Sequence, residues 1–228
     1  MRFIVLCAAL VLSTTAGCGK VPHPLYGERI AGQAVDADTG QPIPGVHVAF
    51  VWESGITPSG ITGHNSRTIC YHAAATTTDA QGRFEVESWR KWSTYNVRPV
   101  EPTALVYVRD YVPLQHPLFE TGSTADPKEH PNERYALKRF SGTVDERLDV
   151  MWGGIANRGC TYGGESQKSL YPMQKVMYEE ARSIALSPAQ ASRVKSFAWF
   201  AARAALAYDP NGPSHATEVD RFISENLK

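Results

Sequence analysis

The 228-residue chain has no apolar run long enough to cross a bilayer, whose hydrocarbon core of roughly 30 Å takes about 20 residues of helix. It has no excess charge of either sign, since 23 Lys and Arg balance 23 Asp and Glu. No chain-wide basic field therefore draws in nucleic acid, and nucleic-acid binding is not expected. The G-x-S-x-G of a nucleophile elbow is missing, and so is any Gly-rich phosphate loop. Cysteine is scarce, at four residues. Aromatic residues are not: they make up 10% of the chain, with five Trp, and 43% of residues are hydrophobic. That composition suits one or two folded domains and argues against disorder.

What is present at the start sets the expected compartment. Met1 and Arg2 give a positive beginning, and Phe3 to Leu12 is an apolar run of the length of a signal-peptide core. Small residues then lead into a cysteine, Ser13-Thr14-Thr15-Ala16-Gly17-Cys18. This stretch resembles the lipobox of bacterial lipoproteins, with Thr15 standing where an aliphatic residue is usual. The resemblance implies that residues 1–17 are a cleaved signal peptide and that Cys18 carries the lipid, palmitate among its acyl chains. Each buried CH₂ contributes about 0.8 kcal/mol, so several chains together make a stable membrane anchor. Ordinary secretory cleavage, leaving Cys18 a plain thiol, is the other reading. Gly19 and Lys20 follow the cysteine where an Asp would favour inner-membrane retention. The resemblance thus places the protein on the periplasmic side of the envelope, at the outer membrane where the organism has one. Residues 18–27, with two prolines, read as a tether. Once Cys7 leaves with the signal and Cys18 is acylated, Cys70 and Cys160 remain as an even pair in an oxidising compartment. A bridge between them closes a loop of about 90 residues, worth ~4 kcal/mol in the chain-entropy picture. Two separate buried thiols are the alternative.

From Arg29 onward the pattern is β. Ile30 to Val35 reads as a short strand, and residues 36–45 (DADTGQPIPG) are dense in turn formers. Val46, Val48, Phe50 and Trp52 alternate with His47, Ala49 and Val51, giving a strand with a large apolar face. Residues 54–74 look like a long excursion from the sheet. Thr76 to Thr78 leads through Asp79-Ala80-Gln81-Gly82 into Arg83 to Trp89, the signature of a hairpin. Thr103 to Arg109 and Tyr135 to Phe140 read as further strands, and residues 143–164 as a connecting loop. Beyond it the period becomes helical. Met173, Val176, Met177, Ala181 and Ile184 mark one helix. Ser187-Pro188 with Gln190 starts a second, along Val194, Phe197, Ala198 and Ala201. Val219, Phe222 and Ile223 mark a third.

Gly32 to Val48 (GQAVDADTGQPIPGVHV) and Thr78 to Phe84 (TDAQGRF) resemble the carboxypeptidase regulatory-like domain, a transthyretin-like β-sandwich. Gly40 and Gly45 suit turn positions of positive φ, and Val46, Val48 and Phe84 suit core-facing positions. The expected fold class is α+β. An N-terminal transthyretin/Ig-like antiparallel β-sandwich over 28–142 is followed by a helical C-terminal segment over 165–228. Such modules fold, dock or present ligands and carry no catalytic residues of their own. The expectation is therefore a non-enzymatic envelope module without a cofactor, contacting a protein partner. By analogy it is similar to the transthyretin-like lipoproteins of type VI secretion complexes, which dock a membrane partner.

Several residues invite other chemistry. Trp89, Trp92 and Tyr95 form an aromatic cluster that suits glycan or peptidoglycan stacking, with core packing as the plainer reading. His64, Cys70 and His72 suggest a metal, but zinc needs three or four convergent ligands and Cys70 has its competing use. Tyr107, Arg109, Tyr111 and His116 resemble part of the iron-binding set of intradiol dioxygenases, which use a related sandwich; the H-x-H pairing is missing after Tyr111. These two sets carry the metal-dependent enzyme alternative. Glu179-Glu180 reads as a solvated helix face. Non-reducing mass spectrometry of the exported protein tests the disulfide. A linked Cys70–Cys160 peptide is expected, and two free thiols refute it.

Overall fold

The strand expected around Val48 is apolar on both faces, and that double-sided pattern organises the molecule. The computed structural model describes residues 23–56, 67–93, 102–117, 130–153, 164–207 and 216–227. Its strands are β1 (His23–Gly27), β2 (Ile30–Asp36), β3 (His47–Ile56), β4 (Arg67–Thr77), β5 (Arg83–Val86), β6 (Trp89–Ser93), β7 (Thr103–Tyr107), β8 (Leu114–Pro117) and β9 (His130–Leu137). The helices are α1 (Val144–Met151), α2 (Tyr171–Ile184), α3 (Pro188–Ala205) and α4 (Ala216–Asn226), with a 3₁₀ turn at Gly164–Leu170. Three sheets result, in the orders β5-β2-β9, β4-β3-β7-β8 and β1-β6. The class is α+β, a β-sandwich followed by a helical segment, as the sequence implies.

Period-two alternation assigns the two faces of the four-stranded sheet. Val48, Phe50, Trp52, Ala104 and Val106 meet Ile30, Ala34, Phe84, Val86, Tyr135 and Leu137 in the sandwich core. Ala49, Val51, Cys70, Ala73, Leu105 and Tyr107 instead join Leu148, Met151, Met173, Met177, Ala181, Phe197 and Ala201 of the helices in a second core. The central sheet is therefore covered twice, by a sheet and by helices.

The turns behave as their residues dictate. Gly40, Gly45 and Gly82 adopt φ of 69°, 73° and 69°. At Gly82 an added Cβ would also strike the carbonyl oxygen of Ala34. Asp79 Oδ1 accepts from the amides of Gln81 (2.9 Å) and Arg83 (2.8 Å), which closes the β4–β5 connection. Ser187 and Gln190 form the expected capping box at α3.

Four expectations need correction. Residues 23–27 are not tether but strand β1, paired antiparallel with β6. Pro24 is tolerated because β1 pairs with β6 alone. The stretch 54–74 is no excursion at its two ends: β3 runs to Ile56 and β4 starts at Arg67, in register Ile56↔Arg67 to His47↔Thr77. Its glycines and alanines hid the alternation, which backbone pairing does not need. The connecting loop holds α1, capped by Thr143 and Glu146 in a second capping box. Finally, the last strand begins at His130, before Tyr135, and runs parallel to β2 within an otherwise antiparallel set.

Buried polar groups fasten the helical layer to the sheet. Arg147 of α1 donates from Nε to Glu180 of α2 at 2.7 Å, with both side chains nearly dry. Tyr107 of β7 donates its hydroxyl to the other Glu180 oxygen. Arg147 also donates from Nη1 to the carbonyl oxygen of Tyr111. At the far end, the Tyr178 hydroxyl donates to the Leu227 carbonyl oxygen at 2.5 Å, pinning the chain beyond α4. Arg147→Ala strands the Glu180 carboxylate in the core and is expected to cost about 3–5 kcal/mol in chemical denaturation. Arg147→Met combined with Glu180→Gln, which keeps an acceptor for Tyr107, is expected to lie nearer the wild type than Arg147→Ala.

Candidate functional site

Among the described residues of the sandwich, the β1–β6 ribbon carries the most exposed aromatic surface. Alternation turns Leu25, Gly27, Trp89, Lys91 and Ser93 toward the body, and Tyr26, Arg90 and Trp92 outward. The register sets Pro24 across from Trp92 and Tyr26 across from Arg90, so these four share one face. Trp92 is 67% exposed and Tyr26 39%. Exposure of that size on an indole has no folding benefit, which is why this face is the candidate site.

The inward side holds the ribbon rigidly. The Trp89 ring lies 4.0 Å from that of His72 at 31° and meets Trp52 edge-on at 5.3 Å and 79°. Tyr71 completes the group, 6.0 Å from Trp89. Gly27 is required here, because a Cβ would overlap the Trp89 indole. Burial, then the charge of Lys91, holds the His72 imidazole down at about 4, and burial also lowers Lys91. His72 is therefore a neutral ring in an aromatic box at pH 7.

The sequence cluster of Trp89, Trp92 and Tyr95 divides accordingly. Trp89 and Trp92 are three residues apart on one strand and face opposite ways, so they form no common platform. Tyr95 lies outside the described residues. Tyr26 and Arg90 join Trp92 instead. They were missed because residues 23–27 read as tether, though Leu25 and Tyr26 among prolines are apt for an edge strand.

Among the described residues the other candidate sets do not converge. His64 and Cys160 lie outside the described residues. The pairing of Cys70 with Cys160 stays an expectation. The Cys70 side chain belongs to the helix-facing core, whereas His72 stacks in the aromatic box on the other face. The register shift between Trp52 and Glu53 puts the extra residue, Tyr71, between them and reverses the faces. Tyr107 and Tyr111 are likewise divided. The first donates to Glu180 toward the helices; the second donates to Asp36 Oδ2 at 2.9 Å, where Arg139 Nε also lies at 3.2 Å. Burial first, and then the Glu180 charge, raises the Tyr107 phenol, and burial raises Tyr111. The amide of Thr39, followed by the Tyr111 hydroxyl, holds the Asp36 carboxyl down at about 2. His116 pairs its backbone with Ala104. Arg109 lies 3.4 Å from Glu179, which also pairs with Lys175 at 3.2 Å. Glu179 is thus on the solvated face, but Glu180 is 6% exposed and internal, against the expectation for both.

No protein-family model matches the chain, and no curated protein matches it. Among solved structures, it is similar to 3-chlorocatechol 1,2-dioxygenase from Rhodococcus opacus 1CP at 15% identity and a TM-score of 0.30, over 50% of this chain and 61% of that one. It is also similar to a 9R-lipoxygenase from Cyanothece PCC8801 at 14% identity and a TM-score of 0.27, over 85% of this chain and 28% of that one. The chain matches less than two thirds of either protein's length, and likenesses of this degree say nothing of activity.

The half-buried histidines His72 and His47 generate a pH dependence with a defined sign. His72 sits at about 4 and His47 is lowered by burial, both from 6.5. As pH falls through that value, the unfolded chain takes up protons that the fold does not, so stability declines toward pH 4. Asp36 acts lower: its contribution is present above its ordinary value of 3.8 and is lost as pH falls through about 2. Urea midpoints are expected to drop between about pH 7.5 and about pH 5, and the slope to flatten in His72→Phe, which keeps the stacked ring.

Proposed function

We propose that this protein is an exported lipoprotein, held at a membrane by acyl chains on Cys18. In this reading it is a non-catalytic binding or structural module of the cell envelope, at the outer membrane where there is one, with an envelope protein as its partner. The observation that carries the reading is the order of features along the chain. A positive start, an apolar core and small residues run into Cys18, and strand β1 starts five positions later at His23. Among the described residues no helix is long and apolar enough to cross a membrane. A further point supports the non-catalytic part: the internal polar groups of Tyr107, Tyr111, Asp36, Arg147 and Glu180 are engaged with one another in holding layers together.

Growth with labelled fatty acid tests the anchor. Label is expected on the wild-type chain and absent from Cys18→Ser, which should leave the membrane fraction. Absence of label from the wild type, with both proteins fractionating alike, overturns the reading. Crosslinking in intact cells then identifies the partner.

A further inference from the structure

We infer that the outward face of the β1–β6 ribbon, with Trp92, Tyr26 and Arg90, rests in the headgroup region of the bilayer that holds Cys18. The inference depends on the lipoprotein reading above and adds to it a second, non-covalent membrane contact.

The argument begins with length. Strand β1 is the described segment next in sequence to Cys18. Trp92 lies directly across from Pro24, at the end of the ribbon nearer Cys18 in sequence. Pro24 is six positions beyond Cys18, and a fully extended chain advances at most about 3.5 Å per residue, so Pro24 stays within roughly 21 Å of the acylated residue. Trp92, about 5 Å further across the ladder, stays within roughly 26 Å of it. A fold tied so closely to a lipid surface presents some face to it.

Chemistry selects the face. Indole and phenol rings are amphipathic and collect at the headgroup level, and a guanidinium beside them binds phosphate in two-pronged fashion. Trp92, Tyr26 and Arg90 supply that combination on one side of a two-stranded ribbon. The acidic residues Glu28 and Glu87 flank the other end of the ribbon, beside the Gly27–Trp89 pair, and so lie away from the point of attachment. Meanwhile the inner side is clamped through Trp89 and Gly27, so the outer rings are held at fixed height over the sandwich.

The test uses the acylated full-length protein in vesicles of phosphatidylethanolamine and phosphatidylglycerol with brominated acyl chains, which quench nearby indoles. Wild type is expected to show lipid-dependent quenching that falls roughly threefold in Trp92→Ala. Trp92 touches no core, so that variant's thermal unfolding should match the wild type and certify its fold. Acylated protein without quenching, or quenching equal in the two proteins, overturns the inference and leaves the lipoprotein reading standing. A chain that takes no acyl group removes both. Trp92 emission that answers to soluble peptidoglycan fragments and not to brominated lipid assigns the face to glycan, and also overturns it.

Discussion

The Glu180 carboxylate receives a phenol from the central sheet and a guanidinium from α1, with water almost excluded from all three. A carboxylate has no tolerable place in an apolar core without such partners. Its position therefore demands that β7, α1 and α2 arrive together. The same arginine reaches on to the Tyr111 carbonyl, and Tyr111 in turn bonds Asp36 at the end of β2. A continuous polar line thus runs from helical layer to outer sheet across a molecule otherwise assembled from apolar contacts. Hydrophobic burial supplies the drive and these groups supply the register.

Local chemistry made much of this architecture readable in advance. Glycines at 40, 45 and 82, an aspartate at 79 and a serine at 187 announce turns and a cap because each solves a backbone problem within a few residues. What escaped was non-local. The pairing of β1 with β6 overrides a proline-rich composition, and the ladder between β3 and β4 continues through glycine and alanine because main-chain bonds need no side chains. Helix α1 is only weakly amphipathic, yet Thr143-x-x-Glu146 was a cap in plain view. The double-sided apolar run through Val48, Ala49, Phe50 and Val51 also signals a sheet covered on both faces, more than a sandwich alone would need.

The candidate site was half legible for a related reason. Composition points to the aromatics near residue 90, but their facing follows from strand parity, which depends on where β6 begins. Counting from Trp89, Trp92 must lie opposite, and its neighbours come from a partner strand more than 60 residues earlier. In the same way, Tyr107 and Tyr111 look like a pair in sequence and serve different cores in space. A single bulge at Tyr71 separates Cys70 from His72. Parity and register decide which residues can meet, and neither is visible in residue type.

The clamp of Gly27 under the Trp89 indole has a bearing on how this surface can change over time. Substitutions on the inner side are closed off, since any side chain at 27 collides and any loss at 89 opens the aromatic box. The outer positions carry no such burden. The rings and charges shown there can be exchanged for others suited to a different neighbour without disturbing the bracket that mounts them.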